Sequence, residues 1–472
     1  MENIVKMKSI VIASNSSGGG KTTVTLGIMK ALKNRGFDVQ GYKVGPDYID
    51  SAFHSKITGK DSRNLDLYLM GEDGVKASFS RGRGDLAVVE GVMGLYDGKG
   101  IDTSYSTYHV SKVLNLPIIL VLSPKAQVAT FCAEINGILN FKDAIIKGII
   151  LNNITESYFK LLKAAIKENC NVEVLGYLPK DERLSLKSRH LGLIQSSEIE
   201  DLEEKIEICA LLLEKHLDME LLIEQFKESE KYEDNFHIEN KGKRIAVAYD
   251  KAFSFYYKEN LELLEEMGEV IYFSPIVDKE LPSDIDFLYL GGGYPEVFIE
   301  ELSKNTSMLY SIKKALDNGL HCYAECGGLM YLTLGEKTLE KKLLGGRPLG
   351  EKPLEEKYLG EGQRREEQLN NNTVGFFNGY YTITKKLQNF GYAKIKVEIE
   401  NNIVPKNMSI NCHEFHKSFV SLPEAKIFKL SKEVYDGTQK NWLCGYIKRN
   451  TIAVYGHVHF FGNLLWFWEI FN

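Results

Sequence analysis

The first half of the chain alternates β-rich runs with amphipathic stretches. The β-rich runs are KSIVIAS (8–14), DVQGYKVG (38–45), DLAVVEGV (85–92), PIILVLS (117–123) and IIKGIILNNI (145–154). Helical periodicity fills several of the gaps between them, as in VTLGIMKALKNRG (24–36). Uniformly apolar strands that alternate with helices are usually covered on both faces of their sheet. The pattern therefore predicts a doubly wound, mostly parallel α/β sheet.

A second α/β pattern begins near residue 244. It shows strand and helix signals in turn, at RIAVAYD (244–250), YYKENLELLEEMG (256–268), EVIYFSP (269–275) and DFLYLGGGYPE (286–296). We therefore predict two α/β domains, at 1–196 and 244–472. The segment 197–243 is rich in Glu, Lys and Leu and is predicted to form solvated helix and linker. The charged, repetitive stretch 337–372 is predicted to be a mobile insertion.

Composition changes this picture mainly by exclusion. Of the 472 residues, 44% are hydrophobic and 26% are charged, which is typical of a globular chain with sizeable cores. The formal net charge of −6 argues against nucleic acid as a partner. The seven cysteines include no C-x-x-C pair, which argues against a disulfide framework and a zinc ribbon. No run of about 18 apolar residues occurs, so we expect no membrane span and a cytoplasmic location.

The stretch SNSSGGGKTT (14–23) lies between the first predicted strand and the first predicted helix, where phosphate-binding loops occur. Its three glycines would let backbone N–H groups approach phosphates, with Lys21 at the β- and γ-phosphates and Thr22 on Mg²⁺. Asn15 stands where the usual pattern has its first glycine, and asparagine tolerates a left-handed backbone better than most residues. We therefore predict an ATP site with Mg²⁺ as the cofactor.

Carboxylates follow two other predicted strands. Asp47 and Asp50 come just after the second β-rich run, Glu90 lies at the end of the third, and Asp97 lies beyond it. Ligands of open α/β sheets bind at the carboxyl ends of strands, and Mg²⁺ in nucleotide enzymes takes one or two carboxylates plus phosphate oxygens. Lys43 could add positive charge near a transferred phosphate. For any single Asp, a helix cap or turn is an equally good interpretation.

The second half carries a candidate nucleophile. HCYAECGGLMYL places Cys326 between a strand-like run and a helix-like run, with two glycines after it, which is the context of a nucleophile elbow. The N–H of Gly327 could form half of an oxyanion hole. Gly292 and Gly293, after another predicted strand, could supply the other half. A buried structural cysteine is the common alternative for a lone cysteine.

A thiol nucleophile needs a base. YGHVHFFGN offers His457 and His459 after a β-rich run, and only one of them can face the cysteine if the strand persists, since alternate residues point to opposite faces. CHEFHKS is a further histidine cluster. Its spacing lacks the i, i+4 pair of a zinc helix, so structural or substrate contacts are favoured over a metal for His413, Glu414 and His416.

Over almost its full length the sequence resembles the cobyrinate a,c-diamide synthase family of corrinoid biosynthesis. The matching stretches, in the same order, are ASNSSGGGKTTVTLGIMKAL, YKVGPDYIDSAFH, SRNLDLYLM, VEGVMGLYDG, GIILNNI, VLGYLPKDERLSLKSRHLGL, LYLGGGYPE, YAECGGLMYL, CHEFHKS and the final H-V-H-F. Members look like fusions of a dethiobiotin-synthetase-like ATP-binding domain with a type 1 glutamine amidotransferase domain. The chain departs from the family at Cys412, where Gly is usual, and in the charged stretch 337–372.

The resemblance implies a ligase reaction. ATP and Mg²⁺ convert a carboxylate of the macrocycle into an acyl phosphate, and ammonia released from glutamine at Cys326 displaces the phosphate. The a and c carboxylates are amidated in turn. His457 is implied as the histidine that activates Cys326. Many type 1 amidotransferases have an acid two residues further on, where this chain has His459, so the third member of the site stays open.

The resemblance also implies the ligand contacts. The nucleotide contacts are Gly18, Gly19, Gly20, Lys21, Thr22, Thr23 and Asn152, the last of them to adenine. The metal ligands are Thr22, Asp47 and Glu90. Asp50 and Asp97 match acids near the substrate carboxylates, and Lys43 and Tyr48 are further candidate substrate contacts.

Three alternatives remain open at this point. Related enzymes amidate nickel-sirohydrochlorin or hydrogenobyrinate at equivalent groups, and their motifs are close to these. A different class would be a P-loop switch or scaffold with a degenerate amidotransferase domain, which the intact nucleophile and base argue against. The expected partners are small molecules, a tetrapyrrole and L-glutamine, and a homodimer is the candidate assembly.

Overall fold

A computed structural model describes residues 7–184, 202–336 and 372–472. The predicted insertion, 337–372, lies outside the described residues except for its last residue. The RHLGL part of one family motif, 189–193, lies outside them as well.

The first half forms a sheet whose seven principal strands are parallel, in the order β3-β2-β4-β1-β5-β6-β7. The strands are β1 Lys8–Ser14, β2 Val39–Val44, β3 Arg63–Leu65, β4 Leu86–Glu90, β5 Ile118–Leu122, β6 Ile146–Ile154 and β7 Val174–Pro179. The helices between them are α1 Lys21–Asn34, α2 Tyr48–Thr58, α3 Leu67–Arg81, α4 Thr107–Val113, α5 Ala129–Phe141 and α6 Glu156–Asn169. The predicted parallel α/β sheet is confirmed. Because β2, β4 and β1 are neighbours, the loops that follow them meet at one edge.

The segment between the two halves packs on this first sheet. Its elements are α7 Leu202–His216, α8 Met219–Glu224 and the short strand β8 Lys227–Glu228, which pairs antiparallel with β1. Cys209 and Leu213 of α7 are buried and lie against Gly27 of α1, where an added Cβ would come within 2.5 Å and 2.7 Å of their side chains. The interpretation of this segment as merely solvated was therefore wrong for α7, since one of its faces joins the core. The domain bounds themselves stay a prediction.

The second half forms a mixed sheet of ten strands, in the order β11-β9-β12-β14-β19-β18-β17-β15-β16-β20. The strands are β9 Lys243–Ala248, β10 Phe253–Phe255, β11 Gly268–Phe273, β12 Phe287–Leu290, β13 Gly292–Gly293, β14 His321–Glu325, β15 Tyr380–Val397, β16 Ser409–Ser421, β17 Lys426–Glu433, β18 Gln439–Lys448, β19 Thr451–Val454 and β20 His457–Val458, of which β10 and β13 pair with each other. The helices are α9 Lys258–Met267, α10 Ile299–Lys304, α11 Thr306–Asp317, α12 Gly327–Tyr331 and α13 Leu464–Phe471. Strands β11, β9, β12, β14 and β19 are parallel, as expected of the predicted second α/β domain.

The antiparallel part of this sheet curls back on the parallel part. Strands β19 and β20 stand far apart in the strand order, yet only the residues 455–456 connect them. Such a short link forces β20, and β16 beside it, to return to the end of β14. Ser418 of β16 accordingly donates a hydrogen bond of 3.3 Å to the sulfur of Met330, which lies in α12 just after β14.

The two halves meet through buried charges. Arg63 of β3 donates to Glu259 and Glu262 of α9 at 2.9 Å and 2.5 Å. Ser78 of α3 adds a hydrogen bond of 2.6 Å to the same Glu259 oxygen. Across the described ranges, we find no helix that has both the length and the apolar character of a membrane span.

Candidate active site

The glycine-rich loop after β1 has the backbone of a phosphate site. Gly18 and Gly20 adopt left-handed φ angles of +74° and +81°, and α1 begins at Lys21 directly afterwards. Asn15 does not have a positive φ, so the explanation that it replaces a left-handed glycine was wrong. The chain makes its left-handed turns further along, at the two glycines.

Two side chains support this loop through hydrogen bonds. The Gly19 carbonyl accepts hydrogen bonds from Ser123 Oγ at 2.9 Å and from Asn152 Nδ2 at 3.2 Å. Gly20 also lies against Asn152, whose Nδ2 would be 1.9 Å from an added Cβ. Asn152 therefore supports the loop, and its predicted contact to adenine stays a prediction.

Acidic and basic side chains converge beside the loop. Thr22 Oγ1 donates to Glu90 Oε1 at 2.5 Å. Lys43 Nζ donates to Asp50 at 2.5 Å and to Glu90 at 3.1 Å. His54, which the sequence reasoning did not single out, lies with its Nε2 2.7 Å from the other Glu90 oxygen. The structure thus brings together four of the predicted residues at the ends of β1, β2 and β4.

Burial and neighbouring charges shift the pKa values of this cluster in different directions. Burial lowers the pKa of Lys21, and the charge of Lys43 lowers it further. Burial alone would raise the pKa of Glu90, but the charge of Lys43 and the hydrogen bond with His54 bring it well below its usual value. Burial and the neighbouring acids Asp47 and Glu90 raise the pKa of Asp50. An additional positive charge would therefore be stabilised here.

The oxygen set suits Mg²⁺. The Thr22 hydroxyl, Glu90 and Asp50 present hard oxygen donors next to a phosphate loop, with Thr22 Oγ1 3.4 Å from Asp50 Oδ2. Within the described ranges no group of three or more His, Cys, Asp or Glu side chains could hold a metal alone. In nucleotide enzymes, phosphate oxygens and water usually complete the shell of Mg²⁺.

The remaining predicted acids have local roles as well. Asp47 caps α2, because its Oδ1 accepts the N–H groups of Ile49 and Asp50 at 2.9 Å and 3.0 Å. Asp97 accepts the N–H of Gly94 at 2.9 Å. A cap uses one carboxylate oxygen of Asp47, so its second oxygen is still available to a ligand.

Cys326 occupies a strained turn between β14 and α12. Its φ of +48° and ψ of −99° are unusual for a residue other than glycine, as in a nucleophile elbow. An added Cβ at Gly327 would lie 3.2 Å from the Gly293 nitrogen, so the two glycines are close neighbours at this turn. Burial, followed by the charges of Glu296 and Glu414, raises the pKa of the Cys326 thiol. The resting side chain is therefore a thiol that needs a base.

The two histidines of the H-V-H-F motif go in different directions. His457 Nδ1 lies 3.3 Å from Glu325, the residue just before Cys326. Its ring packs on Gly292, where an added Cβ would be 2.3 Å from Cε1. His459 Nε2 instead lies 3.3 Å from Glu259, at the contact between the two halves. His457 is thus the histidine that reaches the elbow.

The H-E-F-H cluster lies on β16 next to β20. His416 Nε2 and Glu414 lie 3.2 Å apart, and the His416 ring stacks on Tyr455 at 3.8 Å. His413 pairs in register with His457, and burial lowers its pKa to about 3. Its Nδ1 is buried without a hydrogen-bond partner among the described residues. Alternation along the strand puts His413 on the opposite face from Glu414 and His416, so the three side chains do not converge, and their role stays a prediction.

A cavity of about 580 Å³ joins the two halves. Its lining is rich in aromatic side chains and includes Asp47, Tyr48, Tyr105, Tyr392, His413 and His457. The ring of Tyr48 stacks on Phe255 at 5.0 Å and contacts His457 edge-on at 5.4 Å. Of the predicted substrate contacts, Tyr48 lines the cavity. Lys43 and Asp50 instead belong to the charged cluster beside the phosphate loop.

Sequence reasoning missed three buried partners. His54 belongs to the motif that contains Asp47 and Asp50, so its place in that motif was a usable signal. Glu325 stands beside the nucleophile, at the end of a predicted strand. Glu259 lies in an ordinary amphipathic helix and carries no signal of its own.

Comparisons with known proteins also distinguish the two halves of the chain. The family model for the CobQ/CobB/MinD/ParA nucleotide binding domain matches residues 10–194, and that for the CobB/CobQ-like glutamine amidotransferase domain matches residues 244–347. The cobyrinate a,c-diamide synthase of Clostridium tetani is 66% identical over 458 residues, covering 97% of this chain and 98% of its own. The proteins of the same name from Clostridium acetobutylicum and Listeria innocua are 57% and 43% identical, each across 97% of this chain and across 98% and 97% of their own.

Proposed function

The chain belongs to the cobyrinate a,c-diamide synthase family of glutamine-dependent ligases, and from that premise we propose that it amidates the a and c carboxylates of cobyrinate through acyl phosphates. One observation carries the proposal. A single cavity is bordered by Asp47 of the nucleotide-binding half and by His457 of the amidotransferase half. A carboxylate activated at one side could therefore meet ammonia released at the other without leaving the protein.

In the nucleotide-binding half, a carboxylate oxygen of the substrate bonds to the γ-phosphorus of ATP while the bond to ADP breaks. The Lys21 ammonium and the loop N–H groups hold the phosphates in line. Lys43, fixed by Asp50 and Glu90, adds positive charge behind them. Mg²⁺ held by the oxygens of Thr22 and Glu90 would neutralise charge on the phosphates.

In the amidotransferase half, Cys326 attacks the side-chain carbonyl carbon of glutamine. The thiol proton passes to His457 and then to the departing ammonia, which leaves a glutamyl thioester that water hydrolyses to glutamate. The N–H groups of Gly327 and Gly293 would stabilise the tetrahedral oxyanion. Ammonia then bonds to the acyl carbon of the phosphorylated substrate, and phosphate leaves.

The lining of the cavity supports a large ring-shaped acceptor. Tyr105 and Tyr392 offer flat apolar surfaces, and the imidazole of His413 adds a polar side chain to the lining. Asp47 and Tyr48 would face the carboxylate under attack. Nickel-sirohydrochlorin and hydrogenobyrinate share the same chemistry, and the names of the curated relatives favour cobyrinate over both.

The test counts amides by mass spectrometry after incubation with ATP, Mg²⁺, glutamine and either cobyrinate or nickel-sirohydrochlorin. Cobyrinate should gain two amides. Amidation of nickel-sirohydrochlorin alone would contradict the assigned substrate.

Two variants separate the half-reactions. Cys326→Ser should lose amidation with glutamine but keep amidation with free ammonia, because the nucleotide half is untouched. Lys21→Ala should lose both, whereas Lys30→Ala, a partly exposed lysine on the same helix, should lose neither. Turnover with ammonia in Lys21→Ala, or with glutamine in Cys326→Ser, would contradict the assigned roles.

A further inference from the structure

The acidic member of the Cys–His site is not where type 1 amidotransferases usually have it. We propose that Glu325, the last residue of β14 and the residue before the nucleophile, is the positioning acid for His457, an inference that rests on the proposed function. Glu325 Oε2 lies 3.3 Å from His457 Nδ1, and Oε1 lies 3.5 Å from the N–H of Val458. The Glu325 side chain is buried.

A carboxylate can only accept a hydrogen bond, so this contact requires the proton on Nδ1 of His457. The lone pair is then on Nε2, and this tautomer of His457 can accept the thiol proton of Cys326. After that transfer the Glu325 carboxylate stabilises the imidazolium, and no proton moves to Glu325. The thiol is protonated at rest, so the site depends on a histidine held in this form.

The position of Glu325 is explained by the histidine. A buried carboxylate without a partner is strongly unfavourable, and Glu325 has two hydrogen-bond contacts with the strand that carries His457. The usual acid position is taken by His459, which turns to Glu259 at the contact between the halves. Strand β14, which leads into Cys326, therefore supplies the acid that is missing two residues after His457.

A second buried histidine–glutamate pair provides a matched control. Glu414 lies 3.2 Å from His416 and is as deeply buried as Glu325. Glu414 also accepts the Trp442 indole N–H at 3.2 Å, and its charge acts on Cys326. The substitutions Glu325→Gln and Glu414→Gln therefore each remove a buried carboxylate that lies beside a histidine and near the nucleophile. Only Glu325→Gln changes the hydrogen bond of His457.

The experiment measures glutamate release and amide formation by the full chain with glutamine or with ammonium chloride. The Gln amide can donate to Nδ1 and favour the wrong tautomer. Glu325→Gln should therefore lower the glutamine-dependent kcat by about 10²- to 10⁴-fold, with little change in the KM for glutamine. The ammonia-dependent rate should stay at the wild-type value, which also reports on folding. Glu325→Asp keeps the charge and should recover part of the lost kcat.

Several outcomes would overturn the inference. One is a Glu325→Gln kcat close to wild type. Another is an equal fall in both nitrogen-dependent rates for Glu325→Gln and Glu325→Asp, which would mean that Glu325 only joins β14 to β20. If Glu414→Gln lowers the glutamine-dependent kcat and Glu325→Gln does not, the positioning role belongs to the pair of Glu414 and His416. If the wild-type protein releases no glutamate from glutamine, the proposed function fails together with this inference.

Discussion

Gly292 is the position where the packing of the candidate base can be tested most directly. It lies in β13, and its φ is one that any residue adopts, so alanine introduces no backbone strain there. The new Cβ would, however, lie 2.3 Å from Cε1 of His457. Alanine keeps the backbone N–H, so an oxyanion role of Gly292 would survive the change. The substitution therefore acts mainly on the imidazole.

The size of the effect follows from the distance. Ordinary carbon contacts begin near 3.4 Å, so the His457 ring has to move by about 1.1 Å, and a displacement of that size lowers the rate by about 10²-fold. This corresponds to about 2.7 kcal/mol of activation free energy. We expect Gly292→Ala to lower the glutamine-dependent kcat by that factor and to leave the ammonia-dependent rate within about twofold of wild type.

The assay compares glutamate release and amide formation with each nitrogen source. Gly137→Ala is the matched control, because an added Cβ at that exposed position of α5 meets nothing within 4 Å. It should leave both rates unchanged. A glutamine-dependent kcat for Gly292→Ala within about threefold of wild type would refute the packing argument, and an equal loss with both nitrogen sources would refute its restriction to the amidotransferase site.

Other predictions concern the contact between the halves and the phosphate loop. Glu259→Gln leaves Arg63 with less buried counter-charge and should lower the free energy of unfolding by about 3 kcal/mol in chemical denaturation, whereas Glu265→Gln, a half-exposed residue of the same helix, should change it little. Burial alone would raise the pKa of Glu259, but the hydrogen bond with His459 and the charge of Arg63 lower it. Its stabilisation is therefore complete above about pH 4.3 and should be lost as the pH falls below that value, more steeply in wild type than in Glu259→Gln. Asn152→Ala removes a hydrogen bond to Gly19 and should weaken ATP binding by about tenfold without changing glutamine hydrolysis, and unchanged ATP binding would contradict the supporting role.

The local chemistry could be predicted from the sequence because it depends on neighbouring residues. A glycine-rich run between a strand and a helix fixes the phosphate loop, and the loop needs no distant residue to have its left-handed turns at Gly18 and Gly20. The same holds for the elbow at Cys326, where strand, turn and helix follow one another directly. Asn15 shows the limit of this reasoning, because the pattern located the loop but assigned the left-handed backbone to the wrong residue.

Contacts between distant segments could not be predicted in this way. The residue pattern was enough to predict two α/β domains, the strand ends at which Glu90 and Cys326 lie, and a pair of histidines after the last predicted strand. The contacts of His457 with Glu325 and of His459 with Glu259 became visible only in the folded chain. The side-chain period of a strand fixes which residues share a face, whereas the curl of the second sheet and the docking of the two halves fix what each face meets.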